Sequence, residues 1–307
     1  MKGVKKFLLI LFLMPLLHGA AQAQTNEERV GSMSFLKLNG SAGMLALGDI
    51  HASGRSSFDL LRINPAAVLT HDRQIGFSHT ILPTEGNLSY AGAYTTTEDN
   101  ILWGISALIL RNGELELRTS PTDDPDGTSI PQNSSVALSA AFDLMDSLRV
   151  GVSAKWLNEK LVTYNADGYA IDFGLHYHLS EEYSVAVALN DLGSMGKLKN
   201  EASALPARAT ISLYAIPSFI KSEDWSTDIL ASAQFGFDDK TSHLAFGAAE
   251  NYRDWLTVRA GYLTGNSTRG LSFGASVAYK GIALEYAFAP SMNGFNSTNV
   301  FGISVKL

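Results

Sequence analysis

Asp172, His176 and His178 fall at even positions of one run, 169–179, so a strand there would project all three to the same face. His-x-His is a plausible metal pair, because imidazole is the commonest nitrogen ligand and period two sets both rings on one side. No third ligand is identifiable, since Asp172 would lie roughly 13 Å from His176 along a strand. The favoured reading is a polar lining, and no metal is expected. The acidic stretch Asp123-Asp124-Pro125-Asp126-Gly127-Thr128 offers oxygen ligands for calcium. It lacks the twelve-residue spacing and closing Glu of the helix-loop-helix calcium site, and reads as a solvated turn.

The sequence contains no phosphate loop, dinucleotide glycine fingerprint, Gly-x-Ser-x-Gly or His-Glu-x-x-His. Serines and histidines are scattered without the spacing of a hydrolytic site. There is no cysteine, which excludes disulfides, thiolate metal sites and cysteine nucleophiles. The expectation is a protein without catalytic residues or cofactor.

Those polar residues need elements to hold them, and the first question is the compartment. Lys2, Lys5 and Lys6 precede an apolar run from Phe7 to Leu17, and Ala21-Gln22-Ala23 follows as a small-x-small cleavage site. This is a secretory signal over 1–23, too short to span a bilayer as a helix. Removing its three lysines takes the net charge from −7 to −10. With no basic cluster left, nucleic acid would be repelled.

From Arg73 onward the apolar residues recur with period two, the signature of strands. Phe301, Ile303, Val305 and Leu307 share one face against Gly302, Ser304 and Lys306; Ile282, Leu284, Tyr286 and Phe288 oppose Gly281, Ala283, Glu285 and Ala287. Runs of this kind fall at 73–82, 86–95, 101–110, 134–144, 148–158, 169–179, 183–190, 206–214, 225–236, 242–251, 256–264, 269–279, 281–289 and 297–307. An even number of segments, each near the roughly 9 to 11 residues that cross a bilayer, predicts an all-β fold: a transmembrane antiparallel barrel of about 14 strands over 71–307. The alternate connections 83–85, 111–133, 159–168, 191–205, 237–241, 265–268 and 290–296 include most of the long ones, while those between them are short except for 215–224. Outer-membrane barrels sort their loops in this way.

Cost decides which face meets lipid. The second face is mostly Gly, Ala and Ser with a few charges, Arg149, Lys155, Asp172, Arg259 and Glu285. At mid-bilayer a lipid-facing Arg or Lys costs roughly 2–4 kcal/mol. The polar residues Lys155, Asp172, His176, Arg259 and Glu285 are therefore expected in the lumen. Trp103, Tyr177, Trp225, Tyr252, Trp255 and Tyr262 near strand ends suggest interfacial girdles, with membrane lipid as the outer partner.

Before the barrel, 24–70 reads as an arm and plug. Ala42, Met44, Leu45, Ala46 and Leu47 between glycines suit a short helix or tight packing against a wall. A helical stretch from Phe58 should stop at Asn64-Pro65, where proline removes a donor and biases Asn64 to extended backbone. Asn64, Pro65 and Ala66 are the expected plug seat. Phe35 to Leu38 reads as a short strand or arm with no assigned role.

Several stretches resemble the PorV/PorQ family of outer-membrane proteins, within the wider group of FadL-like barrels. They are Ala46-Leu47-Gly48-Asp49, Asn64-Pro65-Ala66, Val152-Ser153-Ala154-Lys155-Trp156-Leu157, Tyr164, Ala170-Ile171-Asp172-Phe173-Gly174-Leu175 with Tyr177, Asn190-Asp191-Leu192-Gly193, Leu205-Pro206 and Leu284-Glu285-Tyr286-Ala287-Phe288. The resemblance implies a fourteen-stranded barrel with an N-terminal plug, in the outer membrane of Bacteroidetes-like bacteria. It also implies a place in type IX secretion, with a sortase-like partner or the C-terminal signal domains of cargo as protein partners at the outer loops. The alternative is a transporter of small hydrophobic compounds. An apolar, open lumen would favour transport, and a packed lumen with polar side chains a docking scaffold.

Overall fold

The computed structural model describes residues 32–50, 58–69, 72–84, 86–120, 124–237, 240–292, 294 and 296–307. The expected signal, 1–23, and arm residues 24–31 lie outside them, as do Asp123 and residues 51–57.

Alternation of apolar and small residues gives fourteen antiparallel strands closed into one barrel. They are β1 (Gln74–Ile81), β2 (Asn87–Thr96), β3 (Leu102–Arg111), β4 (Gln132–Met145), β5 (Leu148–Leu161), β6 (Tyr164–His178) and β7 (Tyr183–Met195). The circuit continues with β8 (Arg208–Ala215), β9 (Trp225–Gly236), β10 (Ser242–Tyr252), β11 (Leu256–Leu263), β12 (Leu271–Tyr279), β13 (Ile282–Ala289) and β14 (Thr298–Lys306). Each pairs with its neighbours in sequence, and β14 returns to β1 in the register Gln74↔Lys306 to Ile81↔Asn299. Closure leaves no open edge, which a sheet in hydrocarbon requires.

On β6 the two faces separate cleanly. Ile171, Phe173, Leu175 and Tyr177 are exposed, while Ala170, Asp172, Gly174 and His176 are buried. Exposed apolar side chains recur on the same outward face elsewhere, for example Phe77, Ile105, Phe246, Phe273, Leu284 and Ile303. A band of this size is stable only against lipid. With fourteen strands and loops sorted by length, it makes the protein an outer-membrane barrel. At the short-turn rim Trp225 lies across from Tyr252 with ring centroids 4.6 Å apart, and Trp255 meets Tyr252 at 5.7 Å. Trp103 and Tyr177 lie near the same rim, and Tyr262 near the other. No helix among the described residues is long and apolar enough to cross a membrane.

Several strand ends run past the expected bounds. The predicted loop 159–168 is a continuation of β5 and β6, whose last pair, Leu161↔Tyr164, leaves only Val162 and Thr163 to turn. Here Asn158, Lys160, Asn165 and Asp167 face outward where the hairpin rises beyond the apolar band, so the polar alternation read as loop. Strand β7 likewise runs five residues past 190. The loop after β3 carries a small hairpin, Leu115–Leu117 with Gly127–Ser129, and its Asp126 accepts hydrogen bonds from Thr119.

The lumen is filled by the chain before β1. Ser32–Lys37 forms a 3-10 helix, α1 spans Ala42–Ala46, and 3-10 turns follow at Phe58–Arg62 and Pro65–Ala67. Residues 35–38, which read as a strand or arm, are part of this filling: Phe35 and Leu36 are wholly buried with Leu60, Leu61, Leu88 and Leu108. A β partner is not needed because the 3-10 turn bonds its own backbone, leaving the side chains to pack outward in all directions.

Candidate functional site

The plug seats on glycine. A Cβ on Gly151 would come within 2.8 Å of Ala66 N and 2.9 Å of Pro65 Cγ, and one on its cross-strand neighbour Gly174 would overlap the Asn64 amide. Gly76 and Gly104 make room in the same way for Phe58 and Leu61, and Gly247 for Leu47, where an added Cβ would stand 2.9 Å from the Leu47 carbonyl oxygen. The small residues of the inner face are therefore close-approach positions for a plug.

Asn64 fixes the seat with all of its amide. It is extended (φ −151°, ψ 91°), its Oδ1 accepts from Ala66 N at 3.1 Å, and its Nδ2 donates to Leu175 O and Val187 O, each at 3.2 Å. Asn190 Nδ2 donates from the wall to Ile63 O at 2.8 Å. Pro65 and Ala66 are buried beside it, at the start of the last 3-10 turn.

Opposite Asp172, β7 bulges. The register passes from Phe173↔Leu189 to Ile171↔Leu192, so Asn190 and Asp191 together face one residue. Asp191 takes the left-handed conformation (φ 60°) that Asp tolerates better than most, and both side chains turn into the lumen fully buried. Lys155 Nζ bridges Asp172 Oδ2 at 2.6 Å and Asp191 Oδ1 at 2.7 Å, Arg208 Nη1 holds Asp191 Oδ2 at 2.7 Å, and Asp191 N donates to Asp172 Oδ1 at 2.8 Å. From the plug, Arg62 donates to Leu36 O at 2.9 Å, Leu38 O at 2.7 Å and Asn39 Oδ1 at 3.2 Å. Three cations face two carboxylates, and the surplus positive charge is met by main-chain oxygens of the first plug turn.

The remaining candidates are spread apart. Arg259 and Glu285 stand 3.6 Å from one another on the opposite wall, and Arg259 also donates to Ser276 Oγ at 3.1 Å. His176 is buried beside Arg149 near the short-turn end, its ring 4.6 Å from that of His178, while Asp172 is turned to Lys155. The described residues contain no group of three side chains placed to hold a metal. Sequence reading missed Asp191, because the bulge interrupts period two there, and with it the roles of Arg208 and Arg62, which no spacing ties to it.

Above the plug, at the long-loop end, is a vestibule of about 540 Å³. Its floor is plug: Phe35, Leu38, Asn39, Leu45 and Asp49. Its wall is drawn from strand ends and loops, including Thr80, Leu110, Asn133 and Arg269. Arg269 forms an ion pair with Asp49, tying the loop after β11 to the chain reversal at Gly48 and Asp49, both with positive φ. At the other end a cleft of about 520 Å³ is lined by Gln74, Ala278, Ala283 and Ser304.

The sequence matches no protein-family model and no curated protein. Among solved structures the fold is similar to the Pseudomonas putida toluene transporter TodX, with TM-score 0.60, 12% identity, and 88% of this chain and 98% of that one covered. It is also similar to the CymD monoaromatic hydrocarbon channel (TM-score 0.60, 15% identity, 90% and 97% covered) and to a Pseudomonas aeruginosa FadL homologue (0.51, 10%, 87% and 97%). At this identity the likeness establishes a FadL-like barrel fold.

Proposed function

We propose that the protein is a non-enzymatic outer-membrane transporter, which takes small, largely apolar molecules into the outer vestibule and passes them when the plug shifts. The observation that carries this reading is the vestibule itself, a concave site of ligand size whose floor is the plug, on a barrel of the hydrocarbon-channel fold. Uptake of a radiolabelled alkylbenzene by cells with and without the protein tests it. Faster entry with the protein supports transport; equal entry ends it.

A second reading is favoured by the state of the lumen. It is packed, with a buried ionic latch, and this suits a docking scaffold whose outer loops, 112–131 and 196–207, bind proteins. The PorV/PorQ resemblance makes those partners type IX secretion components. Purification of the tagged protein from native outer membranes tests it: sortase-like and cargo signal-domain proteins would accompany the barrel, whereas recovery alone would count against a secretion role.

A further inference from the structure

We infer that the outer vestibule selects an uncharged amphiphile that carries a hydrogen-bond donor, such as an alkylated phenol or alcohol, over a bare hydrocarbon. The inference rests on the proposed use of the vestibule as the entry site and goes further by naming what enters it.

The chemistry of the lining divides. Phe35, Leu38, Leu82 and Leu110 form an apolar side, continuous with the plug core. The lining also holds neutral hydroxyls and amides together with Asp49 and Arg269. Two lining residues keep a buried oxygen without a hydrogen-bond partner among the described residues: Thr80 Oγ1, on a residue 1% exposed between Leu88 and Val300 in the register, and Asp49 Oδ1, on a residue 9% exposed. Asp49 gives its other oxygen to Arg269. A buried acceptor left unmade is costly, and the group that would satisfy a carboxylate oxygen is an O–H or N–H donor.

Charge narrows the donor. The lining holds Lys37, Lys160 and Arg269 against Asp49 and Glu159, a balance of +1 with His243 neutral, so an ammonium ligand is opposed. An anionic ligand would meet the unpartnered oxygen of Asp49, and Arg269 is already engaged. Glu159 accepts from Ser203 Oγ at 2.7 Å, so it too is occupied. What remains is a neutral head with a hydroxyl or amide proton and a body for the leucine side.

Equilibrium dialysis of the full protein in detergent, with protein-free micelles as background, tests this with three probes: 4-butylphenol, 4-butylanisole and butylbenzene. The anisole keeps the oxygen and loses only the donor. The phenol is expected to bind about tenfold more tightly than either, the size of one hydrogen bond to a charged acceptor. In Asp49→Asn, which keeps the left-handed backbone (φ 65°) and removes the charged acceptor, that ratio should fall toward one. Equal affinity for all three probes, or no binding of any, would overturn the inference. Phenol-selective binding without faster uptake would end the transport reading and leave this one standing, and uptake with unselective binding would do the reverse.

Discussion

Arg62 on the plug and Arg208 on the wall both donate to a single main-chain oxygen, that of Leu36, at 2.9 and 3.1 Å. Two guanidiniums converge there because each is held elsewhere, Arg208 by Asp191 and Arg62 by Leu38 and Asn39. The first plug turn is thus fixed to the barrel through Arg208 and the network it shares with Asp191, Lys155 and Asp172. Plug and wall share one buried network, and a change on either side is felt by the other.

Replacing Arg208 with Met leaves Asp191 Oδ2 without its guanidinium partner in the buried network and Leu36 O without its wall donor. Removing one partner of a buried ion pair costs about 3–5 kcal/mol. The expected result is a plug that detaches while the barrel stays closed: protease sites in 32–69 become accessible, and the strand content measured by circular dichroism is kept. A plug as protected as in the wild type would show that the network does not hold it.

Gly174 should tolerate no side chain. Its Cβ would meet the Asn64 amide, which three hydrogen bonds fix in place, so Gly174→Ala is expected to cost about 1–3 kcal/mol in urea unfolding from vesicles. At Gly127, in the outer hairpin, nothing lies within 4 Å, and Gly127→Ala should change stability by less than about 0.5 kcal/mol. Equal effects at the two positions would argue against the glycine seat.

Phe173 and Asp172 are neighbours with opposite surroundings, one half exposed to the bilayer and the other fully buried. Phe173→Arg should reduce folding stability in lipid vesicles by about 2–4 kcal/mol, and Phe173→Leu by far less. A neutral outcome for the arginine would place Phe173 outside the hydrocarbon.

Much of the barrel is legible in sequence because lipid on one side and a plug on the other impose different residues on alternate positions. Phe273, Ala275 and Val277 against Gly274 and Ser276 leave no second interpretation. Legibility fails where that contrast ends. Asn158, Lys160, Asn165 and Asp167 stand on strands that have left the hydrocarbon, where both faces are polar and resemble a loop. It fails again at Asn190-Asp191, since a bulge is invisible to a period-two reading, and with it the meeting of Arg208 and Asp191. The inner glycines and alanines are compatible in sequence with an open lumen or a close plug, and only Asn64, Leu61 and Phe58 in place beside Gly174, Gly104 and Gly76 decide for the plug.

Ionic conductance in planar bilayers, compared between the wild-type protein and a chain lacking residues 32–69, tests most directly that this segment closes the lumen. The account predicts a wild type that is closed or nearly so and a deleted chain with steady, large openings. Arg208→Met should give intermittent openings between the two. A deleted chain that inserts as a folded barrel and conducts no more than the wild type would contradict it.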